Sequence, residues 1–287
     1  MDFKATVAPY PGGKYHLAPL LNSLMVGKRR HISGFGGMAN EFLSMAPHET
    51  EIYNDINNNL CHLFSCLNDG EKREALFDKI LEIPYTKKSF DKIKKELEKG
   101  YINQTDFITY GAWVWFAHLT SRNGSGDSYN GEDLENENLK DDGFKRIFKS
   151  ENQFHNYICK KWYALSRFDN VTVWNKDIFS LLDEEKDNPE GVNTFYFMDS
   201  PYLENKAGYE NNMKTPKEHT RYCHALGTLK GAVMVCGYGE PKYKLYDDIL
   251  GEYGFSKIIL KERPVTMETT EKGGRKRRET ECIWINY

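Results

Sequence analysis

The chain has 287 residues, 39% apolar and 28% charged, with a formal net charge of −3. That length accommodates one large core plus an inserted or appended subdomain, and the balance fits a soluble globular protein. It excludes a polycation, so any contact with nucleic acid has to come from a local basic surface.

"HISGF" (31–35) reads as the first strand; it ends in a Gly-Gly turn and the helix "MANEFLSMA" follows. "EIYND" (51–55) reads as the second. From about Asn57 to Asn156 the pattern turns helical and charged, as in "KKSFDKIKKELEKG" (87–100), where Lys and Glu suit a solvated helix face. "FITYGAWVWFAHL" (107–119) is apolar enough to be the core of this insertion. "TSRNGSGDSYNGEDLENENLKDD" (120–142), rich in Gly, Asn, Ser and Asp, reads as a loop or hairpin. Strands and helices then alternate. The strands are "VTVWN" (171–175), "TFYFMD" (194–199), "GAVMVCG" (231–237) and "FSKIILK" (255–261), with helices such as 217–229 and 241–253 between them. "TECIWIN" (280–286) closes the chain, in an antiparallel hairpin with the preceding strand at the sheet edge. Such alternation predicts a mostly parallel sheet with helices on both faces. The expected architecture is an α/β domain of seven strands, residues 1–56 and 157–287, split by a helical insertion, residues 57–156.

The six cysteines form no CxxC pair and read as buried, reduced thiols. Cys61, His62 and Cys66 have poor spacing for a metal in an apolar helical context. Met1 to Val7 carries Asp2 and Lys4 without an apolar run, and no stretch is long enough to span a bilayer. The expected location is the cytoplasm, with no membrane contact.

Several residues could carry chemistry. Phe35-Gly36-Gly37 ends the first strand, where glycines let backbone approach a ligand and the next helix offers free N–H groups; a plain tight turn is the alternative. Asp55, at the end of the second strand, suits both hydroxyls of a ribose, or a helix N-cap. Asp177, after the third strand, suits an adenine amino group or a cap. Asp199-Ser200-Pro201-Tyr202 ends the fourth strand. A carboxylate oxygen and a main-chain carbonyl can accept both hydrogens of an exocyclic amine, Pro201 stiffens the turn, and Tyr202 offers a ring face. Gly12-Gly13-Lys14 lacks the spacing of a P-loop.

Taken in order, "PYPGGKYHLAPLL", "GFGGMANEFL", "YNDIN", "NKDIF" and "DSPY" resemble the signatures of Dam-type adenine-N6 DNA methyltransferases, over nearly the full chain. Those signatures are an aromatic-x-GGK segment, an FxGxG loop, an acid after the second strand and a DPPY tetrad. The resemblance implies a seven-stranded Rossmann-like sheet dependent on S-adenosylmethionine, with the insertion reading DNA. It assigns Tyr10, Lys14, Phe35, Gly37, Asp55, Asp177 and Asp199 to the cofactor. It assigns Asp199, Ser200, Pro201 and Tyr202 to catalysis, with Tyr202 stacking on a flipped adenine. Ala39 replaces a glycine of FxGxG, a small change expected to have little effect. Ser200 replaces the first proline of DPPY, keeping the carbonyl but loosening the turn.

The implied chemistry needs no metal and no covalent enzyme intermediate. Arg122, Asn123 and Tyr129, in a segment similar to the family's recognition hairpin but with altered spacing, are candidates to read bases. Lys272, Arg275, Lys276, Arg277 and Arg278 flank two glycines in a loop suited to a DNA backbone. The implied partner is double-stranded DNA; no obligate protein partner is inferred, and a cognate restriction endonuclease would be consistent with the family. GATC is the family's commonest target. The rivals are an N4-cytosine methyltransferase, an RNA or protein-amide methyltransferase, and a DNA-binding relative that has lost turnover through Ser200. The location would be bacterial cytoplasm, or host cytoplasm for a phage protein.

Overall fold

All seven expected strands form, and they lie in one sheet. In the computed structural model of the chain, the residues described are 6–14, 17, 20, 23–24, 27–101, 105–130, 148–203, 213, 215–239, 244–264 and 278–287. The strands are β1 (Arg30–Ser33), β2 (Thr50–Asn54), β3 (Thr172–Trp174), β4 (Thr194–Met198), β5 (Ala232–Tyr238), β6 (Ser256–Pro264) and β7 (Arg278–Ile285). The described helices are α1 (Asn40–Ser44), α2 (Asn58–Leu67), α3 (Gly70–Leu81), α4 (Lys87–Leu97), α5 (Phe107–Thr120), α6 (Glu151–Leu165), α7 (Ile178–Glu185), α8 (Pro216–Gly227) and α9 (Lys244–Glu252).

The order across the sheet is β3-β2-β1-β4-β5-β7-β6. β1 pairs in parallel with β2 and β4, and β4 with β5, whereas β7 runs antiparallel to both β5 and β6. The final hairpin forms as expected, but only β6 is at the edge. The reason is burial: Cys282, Ile283, Trp284 and Ile285 of β7 are all buried, whereas Ile259 of β6 is 67% exposed. A strand apolar on both faces belongs in a sheet interior.

The chain divides into two compact units. The first holds β1, β2, β4, β5, β6 and β7, with Trp174 of β3, and comprises Ser23–Gly36, Pro47–Asn57 and Trp174–Tyr287. Parallel partners in register point to the same face, so Ile32, Ile52, Tyr196 and Val233 share one side. Leu181 and Leu182 of α7, Tyr222 and Leu226 of α8, and Tyr246 and Leu250 of α9 complete the cluster on that side. Each such side chain contributes about 1.5–3 kcal/mol on burial. Thr215 and Glu218 form a capping box that starts α8, with Pro216 in its first turn.

The second unit is helical and comprises Met1–Asn22, Gly37–Ala46 and Asn58–Val173. It divides the chain at other points than 57 and 156: α1 and all of α6 belong to it. α5 is its centre and packs against α2, α3 and α4. Trp115 of α5 is fully buried and donates from Nε1 to the Val7 carbonyl (3.1 Å). Phe168 packs against Phe42 of α1 and Phe64 of α2. Arg73 ion-pairs with Asp169, and Lys161 bonds the Thr6 carbonyl.

All six cysteines are free. Five are buried and Cys159 is exposed, which corrects the expectation of buried thiols throughout. Burial raises the Cys66 thiol to about 12, so it stays protonated. No helix among the described residues is long and apolar enough to cross a membrane.

Candidate active site

The strand order reverses between β1 and β4, the place in an open α/β sheet where ligands meet the carboxyl ends of strands. One buried side chain organises the loops there. Asn54, the last residue of β2, donates from Nδ2 to the carbonyls of Gly34 (3.0 Å) and Lys176 (3.1 Å). Its Oδ1 accepts the Lys176 N–H (2.9 Å). The loops after β1, β2 and β3 are thereby tied together. The Gly36 N–H adds a bond to the Asn54 carbonyl (2.7 Å), and Asn175 Nδ2 one to the Asp55 carbonyl (2.7 Å).

Both acids at these ends are used locally. Asp55 Oδ1 accepts the Asn57 N–H (2.8 Å). Asp177 is the N-cap of α7, with Oδ1 accepting from the Phe179 N–H (2.9 Å) and the Ser180 N–H (3.4 Å). A carboxylate has two acceptor oxygens, so these turns orient each side chain and remain compatible with a ligand contact. Phe35 is half-buried, with its ring edge-on to Tyr222 at 5.8 Å. Asp199 and Pro201, just past β4, are half-buried. Tyr202 is only 9% exposed, and its ring meets Tyr238, the last residue of β5, edge-on at 4.5 Å. The ring is largely committed to the core, so the face it offers a ligand is small.

Ser200 is turned inward, at 2% exposure. Its hydroxyl faces those of Tyr222 and Tyr246. Burial raises both phenols well above their ordinary value, so both stay protonated. Tyr246 continues to His219, whose Nδ1 lies 2.6 Å from the phenol oxygen and whose Nε2 lies 3.1 Å from the Met213 carbonyl. A carbonyl only accepts, so Nε2 carries the proton and Nδ1 accepts from Tyr246. Burial lowers the His219 pKa, in keeping with a neutral ring. Among the described residues, Ser200 Oγ and the Tyr222 hydroxyl are buried without a hydrogen-bond partner, beside the bonded Tyr246–His219 pair.

Other candidates lie in the helical unit. The half-buried Tyr10 ring lies against Gly37, where a Cβ would come within 2.9 Å of it, and 5.8 Å from His118. Gly37 sits at φ +50°, a conformation that favours glycine. Ala39 follows at φ +47°, ψ +39°, also left-handed and fully buried. The backbone at Ala39 is thus of the kind that glycine favours. Lys14 is 4% exposed and donates from Nζ to the Gly12 carbonyl (2.7 Å).

Residues 121–130 form a closed loop. Ser121 and Tyr129 make an antiparallel bridge, and Arg122 opens a short 3-10 turn with its N–H bonded to the Ser128 carbonyl (2.7 Å). Gly124 lies so close to the Pro9 carbonyl that no side chain would fit. His118 Nδ1 bonds the Gly124 carbonyl (2.7 Å). Two motifs far apart in sequence, "PYPGGK" and "SRNGSG", are thus in contact. Arg122 is half-buried. The Tyr129 ring packs against Tyr85 (5.9 Å) and Phe90 (5.6 Å), which makes it part of the loop's support. Asn123 contributes backbone to the turn, and its side chain lies outside what is described. Arg278 starts β7 and pairs with Glu262 (3.0 Å). Lys272, Arg275, Lys276 and Arg277 lie outside the described residues.

The fold is a mixed α/β fold whose seven-stranded sheet is consistent with the Rossmann-like kind. No family model matches the chain, and no curated protein matches its sequence.

Proposed function

We propose that this chain is a site-specific DNA methyltransferase acting on the exocyclic N6 amine of adenine in duplex DNA. The observation that carries the reading is the company Asp199 keeps. Phe35, Asp55, Asp177 and Asp199 each follow one of four neighbouring strands, β1, β2, β3 and β4, beside the reversal of strand order. Two oriented acids suit the ribose hydroxyls and adenine amine of S-adenosylmethionine, which when bound supplies the electrophilic methyl group. Asp199 Oδ and the Ser200 carbonyl hold the two hydrogens of the target amine, making its nitrogen more sp³-like and aiming its lone pair. Methyl transfer to that nitrogen would require the amine to lose one of the two protons held by Asp199 Oδ and the Ser200 carbonyl. The catalytic gain comes from orientation and fixed dipoles. The target base has to leave the duplex, at a cost of a few kcal/mol. Arg122, on a loop braced by Pro9, would contact DNA, and the basic sequence before β7 would add charge for the phosphates.

The test is long-read sequencing of DNA from a methylation-free host expressing the chain, beside an Asp199→Ala control. N6-methyladenine in one sequence motif, absent from the control, is the expected result. No modified base in either sample, with soluble protein that binds S-adenosylmethionine, would overturn the catalytic reading and leave a binding protein. Methylated cytosine would move the assignment to the N4 class.

A further inference from the structure

At the opposite end of the sheet, the amino-terminal ends of β1 and β2 gather two imidazoles and a carboxylate. His31 and Glu51 are direct partners in the β1–β2 register, so their side chains share a face. His48 approaches from the segment just before β2. His31 is fully buried, and the side chains of His48 and Glu51 are each 6% exposed. His48 Nδ1 is 3.5 Å from Glu51 Oε1, and the two imidazole rings are 5.2 Å apart. Phe195 stacks against both, at 5.7 Å and 6.5 Å. One potential ligand atom from each of the three lies within 4.8 Å of the others, the one such group found among the described residues.

We propose that His31, His48 and Glu51 bind one divalent transition-metal ion, with zinc the best match. Two imidazoles and a carboxylate are a recurrent zinc donor set, leaving the fourth position to water. Ligand atoms about 2.0–2.1 Å from a tetrahedral ion lie roughly 3.3 Å apart. The three groups therefore have to close by about 1.5 Å at most, a matter of side-chain adjustment. One further feature fits. Glu51 Oε1 accepts the His48 backbone N–H (3.2 Å), which orients the carboxylate before any ion arrives. Two of the three ligands stand on strands, and His48 lies on the segment that leads into β2. Its role is to clamp the start of β1 to the entry of β2, independently of the methyl-transfer reading.

The experiment uses the untagged full chain. Metal content after purification without chelator is measured, and the metal-free protein is titrated with zinc chloride alone. One zinc per chain is expected, with a rise in thermal midpoint of about 5 °C at a hundredfold excess over Kd. His48→Gln and Glu51→Gln each raise the zinc dissociation constant at least about tenfold, whereas Cys66→Ser leaves it unchanged. Cobalt(II) bound to the wild type shows ligand-field bands without a thiolate charge-transfer band, which keeps the test decisive should a variant not fold. Substoichiometric zinc, unaltered affinity in both ligand variants, or a thiolate band would each overturn the proposal.

Discussion

Ser200 carries two groups of different use: its carbonyl, proposed to hold the target amine, and its hydroxyl, buried near the phenols of Tyr222 and Tyr246. The two can be separated by mutation. Ser200→Ala keeps the carbonyl and removes only the hydroxyl, so methylation by the variant is expected to stay within about threefold of wild type. Stability is expected to change by less than about 1 kcal/mol, because the oxygen removed is buried without a hydrogen-bond partner among the described residues. Activity assays and urea denaturation check the two parts; a thousandfold loss of activity in well-folded Ser200→Ala would show that the hydroxyl itself takes part in the chemistry. Ala39 offers a second residue-scale test. Its left-handed backbone tolerates alanine at about 1–2 kcal/mol, and a β-branched side chain is a genuine outlier there. Ala39→Val is expected to cost about 2–4 kcal/mol, strain and overpacking together. Ala39→Gly should be near neutral, because relief of strain is offset by unfolded-state entropy and a lost buried methyl. Equal stability of the Val and Gly variants in urea would refute the left-handed assignment.

Among the elements, β1 and α7 are joined by a buried ion pair. Arg30 meets Glu185 through two bonds (2.6 and 2.9 Å), and Glu185 also accepts from Tyr196 (2.9 Å) and Asn188 (3.1 Å). Burial works to raise the Glu185 pKa, but the bonds and charge of Arg30 outweigh it, and the net shift is downward from 4.5. A depressed carboxylate contributes stability above its unfolded pKa and loses it as pH falls through the folded value. Wild type should therefore weaken as pH drops below about 4.5. Glu185→Gln should flatten that slope while costing about 3–5 kcal/mol at pH 7, since Arg30 is left buried without its charge partner. Urea midpoints measured from neutral to acid pH would show it; an unchanged acid slope would rule out Glu185 as a contributor. The strands themselves were legible in sequence because each is an apolar run bounded by turn residues. The place of β7 inside the sheet was not, since local pattern shows that two strands pair but not which one faces the next neighbour. Asn54 was missed for a related reason. In "EIYND" it reads as an ordinary strand end, and its worth lies in the Gly34 and Lys176 carbonyls that only the fold brings to it.

For the whole molecule, the decisive fact is that the helical unit is assembled from three separate stretches of chain. Sequence composition marked 57–156 as the insertion because charge and helical period change there. It had no means of seeing that α1, α6 and the segment around Val7 pack into the same unit. Within that unit, Phe168 rests on Phe64, Asn68 donates to the Val171 carbonyl (3.0 Å), Arg73 pairs with Asp169, and Trp115 holds Val7. Each of these bonds or contacts joins a residue inside 57–156 to one outside it. Replacing 57–156 by a short Gly-Ser linker would thus strip the partners from what remains. Phe42, Ile158, Leu165 and Phe168, all buried at 1% exposure or less, would lose much of their cover. At about 1.5–3 kcal/mol apiece, that exposure costs roughly 6–12 kcal/mol, comparable with the entire stability of a typical fold at about 5–15 kcal/mol. The sheet unit keeps its own cluster of α7, α8 and α9, so strand content should persist while cooperativity is lost. The deletion variant is expected to aggregate on size-exclusion chromatography, or to unfold in urea without a sharp transition despite residual far-UV signal. A soluble monomer with a single cooperative transition would mean that α1 and the remaining part of α6, residues 157–165, stand without the rest of the unit, and that 57–156 is separable after all.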